Sequence, residues 1–230
     1  MHLMMSPASP FVRKVRVLLR ETGLIDRIDE VEVTTTALDS APEILAANPL
    51  GKIPALVRAD GPTIYDSRVI TRYLDDMAQA GLYPETSLYE LITLEATADA
   101  IMEACVLMTY EVRLRPDAQQ SPDWIEAQWG KASRAIDAIN ARWMSHLTGP
   151  LNMGQIAVAC ALSYVDLRHD ARNWRRGNES LAAWHAEFAA HEQQLLPRLG
   201  PLVRVEQAET GELLPAIAGL FPQQRPFAVH

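Results

Sequence analysis

Strand-like patterning confined to the first third of the chain, with helices alone thereafter, predicts an α/β unit over residues 1–78 followed by an all-α helical bundle over residues 88–196. Three observations carry this. Apolar and polar residues alternate with period two only before Tyr65. The stretch from Ala80 to Ser87, with Gly81 and Pro84, reads as a loop. After it the apolar residues recur only at helical spacing. With 230 residues, 48% of them hydrophobic, the chain can bury a real core and lies between one large domain and two small ones.

His2 to Met5 is a short apolar run that reads as a first strand. From Pro10, the residues Phe11, Val15, Leu18 and Leu19 recur at helical spacing, and Gly23 closes that helix. Ser9 stands where an N-cap belongs, with Pro10 at the first helical position, whose fixed φ and missing N–H suit the place. Val31, Val33 and Thr35 alternate as a second strand, and Ala41-Pro42-Glu43 opens a short helix stopped by Asn48-Pro49. Ile53, Ala55 and Val57 form a third strand, ended by Asp60-Gly61-Pro62, and a fourth apolar strand precedes Tyr65. Val69, Ile70, Tyr73, Leu74 and Met77 then mark a helix starting at Asp66 or Ser67. The order is β-α-β-α-β-β-α.

In the second unit, Leu91, Leu94, Ala98, Met102, Cys105 and Met108 make a long Ala-rich helix ended before Arg115-Pro116. Ser121-Pro122-Asp123 starts another, carrying Ile125, Trp129, Ala132, Ile136 and Ile139. Asn152 and Gln155 occupy the two places of a capping box ahead of the apolar helix Ile156 to Leu167, and Asn178 or Ser180 starts the last clear helix. Residues 197–230 form an atypical extension: Glu206 to Gly219 shows a weak helical pattern, and Phe221 to His230 is expected to be extended or disordered.

Acidic residues outnumber basic ones, 29 to 21, and no basic block is long, so the electrostatic footprint of a nucleic-acid or membrane-surface protein is missing. The N-terminus has no basic segment followed by an apolar one, and no apolar run could span a bilayer, which makes the cytoplasm the expected compartment. Cys105 and Cys160 sit on apolar helical stripes without CxxC spacing, as buried thiols rather than redox or metal ligands, and no metal is expected.

Two places could carry chemistry. Ser9 sets a hydroxyl at a helix N-terminus directly after a strand. There it can cap the helix, or donate a hydrogen bond to a thiolate that the helix end also favours. A free thiol ionises near pH 8.5, and lowering that by about two units takes about 2.7 kcal/mol, within reach of two such interactions. A serine cannot form a mixed disulfide, which disfavours thiol–disulfide exchange through this residue. The second place is Asn48 to Ser67. Ile53-Pro54 is a candidate cis bond at a strand entrance, which would free the Ile53 backbone to pair with another extended chain. Asp66 and Ser67 can cap their helix or, with its unpaired N–H groups, take a carboxylate.

SPASPFVRKV from Ser6, NPLGKIPAL from Asn48 and YDSRVITRYL from Tyr65 together resemble the glutathione S-transferase family. The SPF form is most similar to its serine-type bacterial and plant tau members, and the resemblance runs from Met1 to about Phe188. It implies a thioredoxin-like, glutathione-binding first domain, a helical second domain and a homodimer. It also implies that Ser9 stabilises the glutathione thiolate and that Phe11, Lys52, Ile53, Pro54, Asp66 and Ser67 bind glutathione. Within that set, Ile53 pairs with the cysteinyl backbone, Asp66 and Ser67 hold the γ-glutamyl group, and Lys52 reaches the glycyl carboxylate. Glutathione is then a co-substrate and no prosthetic group is implied. Asn152 and Gln155 depart from the family's usual Ser or Thr followed by Asp, and His191 to His230 matches nothing in it.

The expected activity is conjugation of glutathione to a hydrophobic electrophile. The alternatives are a glutathione-dependent peroxidase or disulfide reductase, and a non-catalytic interaction protein of the same fold. Met102, Val106 and Tyr110, on one helical face, are the candidate wall of the electrophile pocket, against the plain reading of that stripe as core.

Overall fold

The computed structural model describes residues 1–195 and follows the predicted order of elements, with shorter strands. It comprises β1 (His2–Met5), α1 (Pro10–Glu21), β2 (Asp29–Glu32), α2 (Pro42–Ala47), β3 (Ala55–Val57) and α3 (Ser67–Ala78), then α4 (Leu88–Leu114), α5 (Pro122–Arg142), α6 (Met144–Leu147), α7 (Met153–His169) and α8 (Glu179–Leu195). The expectations for residues 197–230 lie outside the described residues.

The sheet order is β2-β1-β3, with β1 parallel to β2 and antiparallel to β3. Alternation along β1 decides what covers each face. Leu3 and Met5 share a core with Leu56 and the apolar stripes of α1 and α3, whereas Met4 packs with Val33, Ile44, Ala47 and Ala55 beneath α2. The predicted fourth strand shrinks to one antiparallel bridge between Leu56 and Ile64. The second strand spans Asp29–Glu32, Val33 N–H still donates to the Met5 carbonyl at 2.8 Å, and the chain then folds on itself: Thr36 N–H donates to the Asp39 carbonyl at 3.0 Å, and Ala41 N–H donates to Thr35 Oγ1 at 3.3 Å.

The helical unit is organised around α7. From Ile156 to Leu162 every residue is buried, as expected of a helix apolar all round, and it joins one continuous core with α4, α5 and the α1/α3 face of the sheet. Asn152 caps it, Oδ1 accepting from Gln155 N–H at 3.1 Å. The capping box is only half formed. The Gln155 amide does not return to Asn152 but donates to the carbonyls of His146, Gly149 and Pro150, knitting the preceding loop together. The last helix starts at Glu179, and the Asn178 side chain donates to Asp137 at 2.9 Å and to the Trp174 carbonyl at 2.9 Å.

Candidate functional site

The antiparallel register sets the site. Ala55 lies opposite Met4, so the Ile53-Pro54 junction stands beside the end of β1 from which the loop to Ser9 leaves. Helix α3 packs against α1 on the same face of the sheet.

Ser9 caps α1, its Oγ accepting from Val12 N–H at 3.3 Å, and it is half-buried. The oxygen is engaged and the hydroxyl hydrogen remains to be donated. The Ile53–Pro54 peptide bond is cis, as is Tyr65–Asp66. Pro54 is buried and precedes the first paired residue of β3. The backbone N–H and C=O of Ile53 take part in none of the backbone hydrogen bonds among the described residues. The loop before it is shaped by Asn48, itself buried, which donates to the Lys52 carbonyl at 2.8 Å and accepts from Leu50 N–H at 3.0 Å. Gly51 turns it with a φ of +65°, and a Cβ there would lie 2.6 Å from Ser40 Oγ. Lys52 is left exposed at the surface.

Asp66 is the N-cap of α3, accepting from Arg68 N–H at 3.0 Å, and Ser67 follows it into the helix as a buried residue. Partial burial alone would raise the Asp66 pKa. The Arg68 side chain, 3.0 Å away, and two backbone N–H groups outweigh that and hold the carboxyl below its ordinary range. Asp66 is therefore an exposed carboxylate at a helix N-terminus.

The electrophile stripe needs a correction. Met102 is 0% exposed and belongs to the core, so no cleft can use it as a wall; among the three, Val106 and Tyr110 keep some exposure. Neither of two surface cavities touches Ser9, Val106 or Tyr110. One, about 560 Å³, lies between α3 and α4 and is lined by Arg68, Arg72, Tyr83 and Glu95, among others. The other, about 360 Å³, lies between the start of α4 and the loop before α7. Cys105 and Cys160 are buried, and burial pushes each thiol up to about 12. Among the described residues no helix is long and apolar enough to cross a membrane, and no group of three or more His, Cys, Asp or Glu could hold a metal.

What sequence reasoning missed is a buried ionic cluster behind the site. Lys14, 0% exposed, donates to Glu95 at 2.9 Å and to Asp99 at 2.7 Å. The signal was present: Lys14 falls three residues after Phe11 and four before Leu18, inside the apolar stripe of α1. Likewise Glu95 and Asp99, four apart, interrupt the buried face of α4.

A small mixed sheet with helices on both faces, a cis proline at the mouth of an edge strand and a helical second unit define a two-domain, thioredoxin-like architecture of the transferase type. The comparisons with known proteins agree. Family models described as the N-terminal and C-terminal domains of glutathione S-transferase match residues 8–77 and 122–187. The chain is 36% identical over 180 residues to the uncharacterized GST-like protein YibF of Escherichia coli, covering 76% of this chain and 86% of that protein. It is 38% identical to a glutathione transferase family member from Pseudomonas fluorescens solved with bound glutathione, with a TM-score of 0.83 over 87% of this chain and 98% of that one. A glutathione S-transferase from Methylobacillus flagellatus, also with glutathione bound, matches at 33% identity and a TM-score of 0.73, over 87% and 98% of the two chains. This chain belongs to the glutathione S-transferase family.

Proposed function

We propose that this protein is a cytoplasmic glutathione transferase that joins the glutathione thiolate to a hydrophobic electrophile. The observation that supports the reading is Ser9: its oxygen accepts from Val12 N–H, which leaves the hydroxyl hydrogen to be donated to a sulfur bound at the head of α1. Glutathione then lies extended along the rim. Its cysteinyl backbone pairs with Ile53 beside Pro54, and Phe11 flanks it. Its γ-glutamyl carboxylate faces Ser67 and the first N–H groups of α3, while its ammonium faces Asp66. Lys52 takes the glycyl carboxylate.

In the reaction the thiol proton leaves to solvent and the ionised sulfur attacks the electrophilic carbon. With an aryl halide, the C–S bond forms as halide departs with the bonding pair. Rate comes from keeping the sulfur ionised and holding both reactants together. Of the candidate electrophile wall, the reading keeps Val106 and Tyr110, which are partly exposed. A homodimer is supported by exposed apolar residues on adjoining helices, Val69 on α3 with Tyr89 and Ile92 on α4.

The deciding experiment is calorimetric titration with glutathione followed by assays with an aryl halide and an organic hydroperoxide. Binding with aryl conjugation is expected. Hydroperoxide turnover alone would assign a peroxidase, binding without either activity would assign an interaction protein, and absence of binding would overturn the reading.

A further inference from the structure

Taking an ammonium out of water costs several kcal/mol, and a buried ion pair is often no more stable than apolar side chains of the same volume. Lys14 is therefore unexplained by stability alone. It is completely buried on the face of α1 where an apolar residue would pack, and what it touches is two carboxylates of the helical domain.

Two chains of contacts leave its Nζ. Along the first, Asp99 Oδ1 lies at 2.7 Å, the other oxygen of Asp99 lies 3.6 Å from Arg68 Nε, and Arg68 Nη2 lies 3.0 Å from Asp66 Oδ2. Along the second, Glu95 Oε1 lies at 2.9 Å, Tyr83 OH donates to Glu95 Oε2 at 3.1 Å and accepts from Thr71 Oγ1 at 2.8 Å, a hydroxyl one turn into the helix that Ser67 begins. The two chains run through different residues and both end at the head of α3, on Asp66 and on Thr71, one turn after Ser67. They start on the helix that Ser9 heads.

We propose that Lys14 is a positioning residue for the glutathione site, holding the Asp66–Ser67 junction in register with the Ser9 helix through Glu95 and Asp99. This rests on the glutathione reading above and adds to it which side chain ties the two ends of that site together. A single charge can do this because both carboxylates, four residues apart on α4, need the same ammonium. Without it they repel. Arg68, 3.6 Å from Asp99, is then drawn toward α4 and away from Asp66. The acceptor for Tyr83 shifts as well, which unties Thr71, and with it the first turn of α3, from α4. Lys14 touches no substrate, so the expected signature is weaker glutathione binding.

The test uses Lys14→Met, Lys14→Arg and Tyr83→Phe in the full chain, with glutathione Kd from calorimetry and the melting temperature measured separately. Lys14→Met should weaken glutathione binding by about 2- to 30-fold, the range found when a coupling network is cut. Lys14→Arg should recover part of the loss by restoring the charge, and Tyr83→Phe should weaken binding within the same range while leaving Lys14 paired. A Lys14→Met protein that melts lower yet binds glutathione as the wild type does would overturn the proposal. If that variant does not fold, Tyr83→Phe decides, and an unchanged Kd overturns it. Wild-type protein that fails to bind glutathione would remove the transferase reading together with this inference, whereas wild-type binding with unaffected variants removes this inference alone.

Discussion

The Arg13 guanidinium lies 2.7 Å from the Glu192 carboxylate, fastening the helix that Ser9 heads to the final turns of α8. Both side chains are largely buried, and among the described residues neither Arg13 Nε nor Glu192 Oε1 has a hydrogen-bond partner, so the pair is held by charge. Breaking such a pair from one side leaves the other charge stranded. Glu192→Ala should therefore cost about 3 kcal/mol in urea denaturation, and Arg13→Met with Glu192→Leu should cost clearly less. Equal losses in the single and the double variant would show the pair to be incidental.

Ser9→Ala separates capping from chemistry. Loss of the cap should cost about 1 kcal/mol of stability. Glutathione affinity should stay within a few-fold while turnover falls, and the pH at which the bound thiol ionises should rise toward about 8.5. Ultraviolet titration of the thiolate in the complex reads that directly. An ionisation pH that does not move returns Ser9 to capping alone.

Asp66→Asn keeps an acceptor for Arg68 N–H at the head of α3 but removes the charge meant for the ammonium of glutathione. Stability should change little and glutathione Kd should rise by about tenfold, the worth of one charge-assisted hydrogen bond. An unaltered Kd would withdraw Asp66 from the binding role.

Met102→Ala should act on stability, not on substrate choice. A fully buried methionine cut to alanine costs about 2–5 kcal/mol, because the cavity closes only in part. The relative rates with large and small aryl halides should stay those of the wild type. Altered selectivity at wild-type stability would restore Met102 to the pocket.

Asp99 sets a pH dependence with an unusual sign. Burial, with Glu95 nearby, raises its pKa from 3.8 to about 6, and Lys14 and Arg68 only partly oppose this. Lys14 is itself raised, since its two carboxylates outweigh the burial that would lower it, and one ammonium is thus divided between two acids. The folded protein holds the Asp99 proton more tightly than the unfolded chain does. Stability from this group is complete below about pH 4 and is lost as pH rises through about 6. Glu30 runs the other way. Burial would raise it, but Arg20 and Arg16 pull it below 4.5, so its contribution is present above that value and lost on further acidification. Urea denaturation of wild type and Asp99→Asn from about pH 4 to 8 should show the wild type losing about 2–3 kcal/mol relative to the variant as pH rises, then levelling. A constant difference would rule out the raised pKa.

Much of this molecule was written locally. Ser9-Pro10 and Ser121-Pro122 begin helices by capping chemistry that spans three residues, and Ile53-Pro54 declares its place because a proline cannot sit inside a ladder. Amphipathic stripes located α1, α3 and α5, and three short motifs were enough for the family. The tertiary structure alone decided which residues on those stripes meet. Periodicity says that Lys14, Glu95, Asp99 and Met102 face inward, but a buried face says nothing of its partner. Whether an inward charge finds its counter-ion, or an inward methionine borders a cleft or a core, depends on residues more than eighty positions apart being brought together by α1 packing on α4 and α7. That meeting is long-range, and it settles the electrostatics behind the site.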